Sequence, residues 1–176
     1  MTELFSCATI ITVPCGQTIN IIRGVRTVTC GERAKQYFYE GYNCTQSIVL
    51  TFAKEIGLEP ETALRLVSPF GGGMGRLREV CGAVSGMFFV LGARYGYNDP
   101  ADREGKTELY HRVQELAARF RAKQGSIVCR ELLGGTPDSS PTPEARTEAY
   151  YKKRPCPELI ACAADLLAEY LAEQNR

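Results

Sequence analysis

The chain has 176 residues, 44% hydrophobic and 23% charged, the profile of one ordinary globular domain able to bury a core without staples. Its formal net charge of +1 comes without any Lys/Arg block, so no nucleic-acid footprint is present. The longest apolar run, Met87 to Ala93, is far too short to span a bilayer, and Glu3 stands where a secretory signal carries positive charge. No membrane insertion and a cytoplasmic location are therefore expected.

Residues 1 to 30 read as an arm of two or three short β-branched segments, "TIITV", "TINII" and "VRTVT". From residue 31 to 176 the pattern is that of a single helical domain. "GERAKQYFYEG" predicts a short helix closed by Gly41. "NCTQSIVLTFAKEIG" predicts a second, with Asn43 as N-cap, Cys44, Ile48, Phe52 and Ile56 inward, and a stop at Gly57. "PETALRLV" is a further short helix with proline in its first turn. After a glycine run, a helix from about Glu79 to Tyr95 carries Val80, Val84, Met87, Leu91 and Tyr95 on one side. Asp102 to Lys123 is amphipathic through Leu109, Val113, Leu116 and Phe120. "SIVCRELL" opens at Ser126 as N-cap, residues 134 to 147 form a Gly/Pro/Ser loop expected to be mobile, and "RPCPELIACAADLLAEYLAE" closes the chain as a long helix with Leu159, Ala163, Leu166 and Tyr170 inside. Six or seven helices without a parallel-sheet pattern predict an all-α bundle.

The glycine run "PFGGGMGRLREVCGAVSG" invites a phosphate-loop reading, which fails on spacing. A dinucleotide fingerprint needs GxGxxG, yet the sixth position counted from Gly71 is Arg76 and from Gly73 is Arg78. The "GKT" at Gly105 to Thr107 lacks the leading glycine of a phosphate-binding P-loop, since Pro100 stands there. Glycine instead allows a sharp turn and close approach of backbones. Gly82 and Gly86 lie on one helix face and would admit a second helix, or a bulky cofactor, beside Cys81; Gly72, Gly73 and Gly82 are the candidate cofactor-contacting positions.

Eight cysteines are unusual for such a chain: Cys7, Cys15, Cys30, Cys44, Cys81, Cys129, Cys156 and Cys162. Without a secretory signal, thiols more often serve redox or metal chemistry than a disulfide framework, and no CxxC motif exists to make a zinc ribbon or thioredoxin-type site. Cys44, Cys81, Cys129 and Cys156 all fall at or near predicted helix starts. Arg76 and Arg78 lie near Cys81, and Lys152, Lys153 and Arg154 precede Cys156. Helix N-termini and cations favour the thiolate, which is both the nucleophile and the metal-binding form, so all four are expected to be activated. Cys162 reads as a buried inert thiol. The single histidine, His111, lies off its helix's apolar stripe and reads as a surface residue, which leaves little material for a catalytic triad. Tyr42, Tyr95 and Tyr97 read as packing residues.

"GYNCTQS", "FGGGMGRLREVCGAVSG", "SIVCRELLG" and "RPCPELIACAADLL" together resemble the C-GCAxxG-C-C family of redox-active proteins, over roughly Glu32 to Leu171. Carried over position by position, the family's four cysteines fall on Cys44, Cys81, Cys129 and Cys156. The resemblance implies a small helical redox protein. A similar module also occurs joined to a multihaem cytochrome with an associated iron–sulfur cluster; with no CxxCH in this chain, covalent haem is not expected. Residues 1 to 30 fall outside the resemblance. They are either a genuine extension or an upstream stretch read from a misassigned start, in which case translation would begin at a non-AUG codon, for instance at Val25 or Val28, since the next methionine is Met74.

Three functions follow. In the first, the four cysteines converge and cycle in thiol–disulfide or electron-transfer chemistry, with a redox protein, small thiol or electron carrier as partner. In the second they are ligands of a [2Fe–2S] cluster or a structural zinc. In the third the chain is a helical interaction module whose cysteines only pack. A homodimer is compatible with each.

Overall fold

The computed structural model describes residues 28–135 and 138–175, so the strands expected in the N-terminal arm, together with Cys7 and Cys15, lie outside the described residues. Among the described residues the elements are helical: α1 (Cys30–Tyr39), α2 (Cys44–Phe52), α3 (Pro60–Val67), α4 (Gly82–Tyr95), α5 (Arg103–Gln124), α6 (Cys129–Leu132), α7 (Glu148–Lys153) and α8 (Cys156–Gln174). A 3₁₀ turn, Ser68–Phe70, leads from α3 into the glycine run. The expected all-α bundle is what the chain forms.

Local sequence sets the helix ends. Thr29 and Glu32 form a reciprocal capping box on α1, and Asn43 with Gln46 forms another on α2. Cys30, assigned from sequence to the arm, is thus the first residue of α1 and is buried. The α2 helix ends at Phe52, earlier than the Gly57 stop expected, and the following turn reaches Gly57 with a positive φ of 66°. Asp102 caps α5 by accepting from the Gly105 amide at 2.8 Å.

The α8 helix packs against α1, α2, α4 and α5, while α4 lies against α2, α5 and α8. Phe38, Phe52, Phe120 and Tyr170 are almost fully buried at these junctions. Each such side chain contributes roughly 1.5–3 kcal/mol by leaving water. The sequence stripes land as expected: Leu159, Ala163, Leu166 and Tyr170 of α8 are buried, as are Leu116 and Phe120 of α5. His111 is exposed.

Small residues hold the helices close. A Cβ built on Gly86 would stand 2.7 Å from Ile48 Cβ, and one on Gly82 would stand 3.0 Å from Cys44 Cβ and 2.9 Å from Thr45 Oγ1. The thin face of α4 is therefore occupied by α2, and this draws the start of α2 against the start of α4. No helix among the described residues is long and apolar enough to cross a membrane.

Candidate thiol site

The glycine run is a tight left-handed coil. Gly72, Gly73 and Gly75 have positive φ, and so do Met74, Arg76 and Arg78. For the three non-glycine residues this conformation costs about 1–2 kcal/mol each. Hydrogen bonds offset the cost: Arg78 donates from Nε and Nη2 to the Asp138 carbonyl at 3.0 and 2.7 Å, and Arg76 donates to the Ser140 carbonyl and to Asp138.

After the coil the chain does not enter α4 at Glu79. Residues 78 to 81 run beside 127 to 130: the Cys81 amide donates to the Ile127 carbonyl at 2.8 Å, Cys129 to Glu79 at 2.6 Å, and Arg130 to Arg78 at 3.1 Å. Val80 and Val128 pair in an isolated antiparallel bridge. This ladder delays α4 to Gly82 and displaces Ser126 from the N-cap of α6, where Val128 stands instead. Ser126 accepts from the Val128 amide at 2.9 Å and donates to Glu131. The ladder's consequence is that Cys81 and Cys129, 48 positions apart in sequence, become neighbours.

Cys44 at the start of α2 and Cys156 at the start of α8 form the second neighbouring pair. All four thiols line one cavity of about 490 Å³. Gly72 also lines it, whereas Gly73 and Gly82 stand behind its wall: a Cβ on Gly73 would be 2.6 Å from Cys129 Cβ. These two glycines serve the approach of Cys129 and Cys44 to their positions. Cys162 is half-buried against the core and away from the cavity.

Segment 138 to 146, expected from its composition to be mobile, covers the cavity and is pinned. Asp138 and Ser140 take the guanidinium bonds described above, Glu144 pairs with Arg154 and stands 3.9 Å from Arg76, and Arg146 donates to the Phe38 and Tyr42 carbonyls at 3.3 Å each. Arg146 also stacks on Phe38, its guanidinium 4.5 Å from the ring centroid. Polar loop composition carried no signal for these bonds, because each partner comes from a distant element. Arg146, Glu144 and Tyr150 were accordingly missed from sequence. Of the basic run before α8, Arg154 lines the cavity while Lys152 is exposed and paired with Glu148. Tyr42, Tyr95 and Tyr97 do not line it.

The electrostatics correct the expectation of four activated thiols. Cys156 is lowered from 9.0 to about 7, first by hydrogen bonding from the Cys44 thiol and then by Arg154 and Arg146, against the opposing effect of its burial. Cys44, the donor of that pair, is raised well above 9.0 for the same reason, reinforced by burial. Burial pushes Cys81 up to about 12 against the Ala83 and Val84 amides of α4, and raises Cys129 despite the cation of Arg78 beside it. A helix N-terminus is worth a fraction of a unit to about one unit, whereas desolvation of a buried thiol is worth several. Cys156 is thus the thiol most readily ionised, beside a Cys44 thiol held protonated, while Cys81 and Cys129 are also raised.

Among the described residues no group of three or more His, Cys, Asp or Glu side chains is arranged to hold a single metal ion, so the structural-zinc arrangement does not fit. The four thiols line one cavity and act on one another there. Four cysteines are the donor number a two-iron cluster takes.

The site is thus a helical bundle that gathers four cysteines and four arginines at one cavity. The profile of the family described as "Putative redox-active protein (C_GCAxxG_C_C)" matches residues 42–170, and the chain belongs to that family. No curated protein and no solved structure matches the chain.

Proposed function

We propose that the protein is a two-electron thiol–disulfide redox protein in which Cys156 is the attacking thiolate and Cys44 the resolving thiol. The observation that carries this reading is the Cys44–Cys156 pair itself, in which one thiol lowers the other at the wall of a cavity of about 490 Å³. The Cys156 thiolate attacks one sulfur of a substrate disulfide. The substrate S–S bond breaks, a mixed disulfide forms on Cys156, and the first substrate thiolate departs. Cys44 then gives its proton to that thiolate and attacks the Cys156 sulfur, and the second substrate half leaves as a thiolate that takes a proton from water. The substrate is reduced to two thiols and the protein is oxidised to a Cys44–Cys156 disulfide; an external dithiol reductant reverses the change.

The test is a single turnover of the reduced full chain with excess small disulfide. Two equivalents of thiol should be released by the unmodified protein, one by Cys44→Ser, which stops at the mixed disulfide, and none from this site by Cys156→Ser. Release unaffected by Cys156→Ser overturns the reading.

The lining of one cavity by all four cysteines supports a second reading, in which these residues would hold a [2Fe–2S] cluster that would supply one-electron chemistry. Two irons and two sulfides per chain in anaerobically purified protein, lost on Cys81→Ser, would select it.

A further inference from the structure

The cavity above the thiols carries more positive charge than its walls neutralise. Arg76, Arg78, Arg146 and Arg154 line it, and Glu144 is the acidic residue among its lining. Glu144 pairs with Arg154, and Arg76 pairs with Asp138. The other two arginines have no carboxylate partner among the described residues. Arg78, 4% exposed, donates to the carbonyls of Asp138 and Gly72, and lies beside the Cys129 thiol. Arg146 donates to the carbonyls of Phe38 and Tyr42 and stacks on the rings of Phe38 and Tyr150. Carbonyl dipoles satisfy the N–H groups of a guanidinium but do not cancel its charge, and a cation held this way in a partly dry cavity favours an anion entering it.

The two cations differ in place. Arg78 is buried in the floor, whereas Arg146 belongs to an exposed position at the rim. Arg146 also faces Cys156 closely enough to act on its charge. A guanidinium fork matches a carboxylate in plane and spacing, with two parallel N–H donors. The cavity volume of about 490 Å³ is that of a small-molecule site.

From this geometry we infer that the site is selective for small disulfides that carry carboxylate groups, the carboxylate seated on Arg146 and the disulfide sulfur over Cys156. The inference rests on the thiol–disulfide reading above and uses the same balanced exchange. It adds the chemistry by which the substrate is chosen, with Arg146 as the specificity-determining residue.

The experiment compares two aromatic disulfides with the reduced full chain: dithiobis-nitrobenzoate, which carries two carboxylates, and dithiodipyridine, which carries none. Second-order rate constants are measured for both, and the same pair is measured with N-acetylcysteine as a free thiol. The protein's ratio of carboxylate to neutral probe should exceed that of the free thiol by about tenfold, the worth of one hydrogen bond to a charged group. The ratio should fall at least about fivefold in Arg146→Gln, and it should decline with added salt in the unmodified protein. Using a ratio removes the effect Arg146 has on the thiolate itself, because that effect acts on both probes. A protein ratio equal to that of the free thiol, or one unmoved by both Arg146→Gln and salt, overturns the inference while leaving Cys156-dependent exchange intact. Failure of either probe to react at Cys156, read by peptide mass mapping, overturns the underlying reading as well. The salt series needs no substitution and stands even if the variant folds poorly.

Discussion

Replacing Cys44 by alanine isolates the interaction on which the proposed chemistry turns. With Cys156 brought from 9.0 to about 7, roughly half of it is thiolate at pH 7, against about one part in a hundred for an unperturbed thiol. Hydrogen bonding from Cys44 is the largest cause of that depression, and burial of Cys156 opposes it. Cys44→Ala removes the cause and leaves the burial, with Arg154 and Arg146 still acting the other way. The Cys156 midpoint should therefore rise by at least about one unit, and its thiolate fraction at pH 7 should fall at least about fivefold. The rate of alkylation should change less, because intrinsic nucleophilicity falls with pKa with a slope of roughly 0.4–0.5 and returns part of the loss. The informative quantity is accordingly the midpoint. It is read from the pH profile of iodoacetamide capture at Cys156, resolved by peptide mass spectrometry. A Cys156 midpoint that stays put in Cys44→Ala, or one near 9 in the unmodified protein, would refute the reasoning.

The same shift links stability to pH in the reduced protein. Because the folded value lies below the unfolded one, the stabilisation from Cys156 is fully present above about pH 9 and is lost as pH falls through about 7. The stability difference between the unmodified protein and Cys156→Ser, from urea unfolding under reducing conditions, should grow by about 1 kcal/mol from pH 6 to pH 8; a flat difference contradicts the shift. Gly73→Ala should lower stability by roughly 2–4 kcal/mol, since it combines a strained φ of 72° with a Cβ only 2.6 Å from that of Cys129. Circular dichroism should retain the helical signal below the transition, and Cys129 reactivity should change; an unchanged unfolding midpoint counts against the glycine's role. Asn43→Ala removes the α2 cap, whose side chain accepts from the Thr45 and Gln46 amides at 3.0 Å and donates to the Ser68 carbonyl at 3.1 Å. It should cost about 1 kcal/mol by urea unfolding and should alter the Cys156 midpoint, because the cap positions Cys44. Cys162→Ser should leave disulfide exchange unchanged in the single-turnover assay, as expected of a thiol outside the cavity.

Much of the bundle was legible in the chain because helix caps and apolar stripes are local. Asn43 announces a helix start by its own hydrogen-bonding chemistry, and the Leu159–Tyr170 stripe of α8 reads directly as a buried face, whereas the Thr29 cap was hidden in a stretch that reads as β-branched. The four candidate cysteines were selected by the same local rule, and their shared position at helix starts holds. Which of them ionises was not legible. That depends on burial and on a thiol 112 positions away: the hydrogen bond with Cys156 raises Cys44 first of all, and for Cys81 and Cys129 desolvation outweighs the helix terminus that the sequence displays. The ladder between 78–81 and 127–130 was invisible for a related reason. A pairing built around one isolated bridge has no periodicity of its own, and the glycines before it advertise only a turn. The roof over the cavity was misread because Gly, Pro and Ser signal the absence of helix, not the absence of anchorage. Four arginines from three segments hold it.

The pairing of Cys44 with Cys156 is tested most directly by mapping disulfides in protein equilibrated across a series of dithiothreitol redox buffers and quenched with an alkylating agent. The account predicts a two-electron transition in which the first linked peptide to appear joins Cys44 to Cys156. Oxidation that links other cysteines first, with Cys44 and Cys156 still recovered as alkylated thiols, would contradict it.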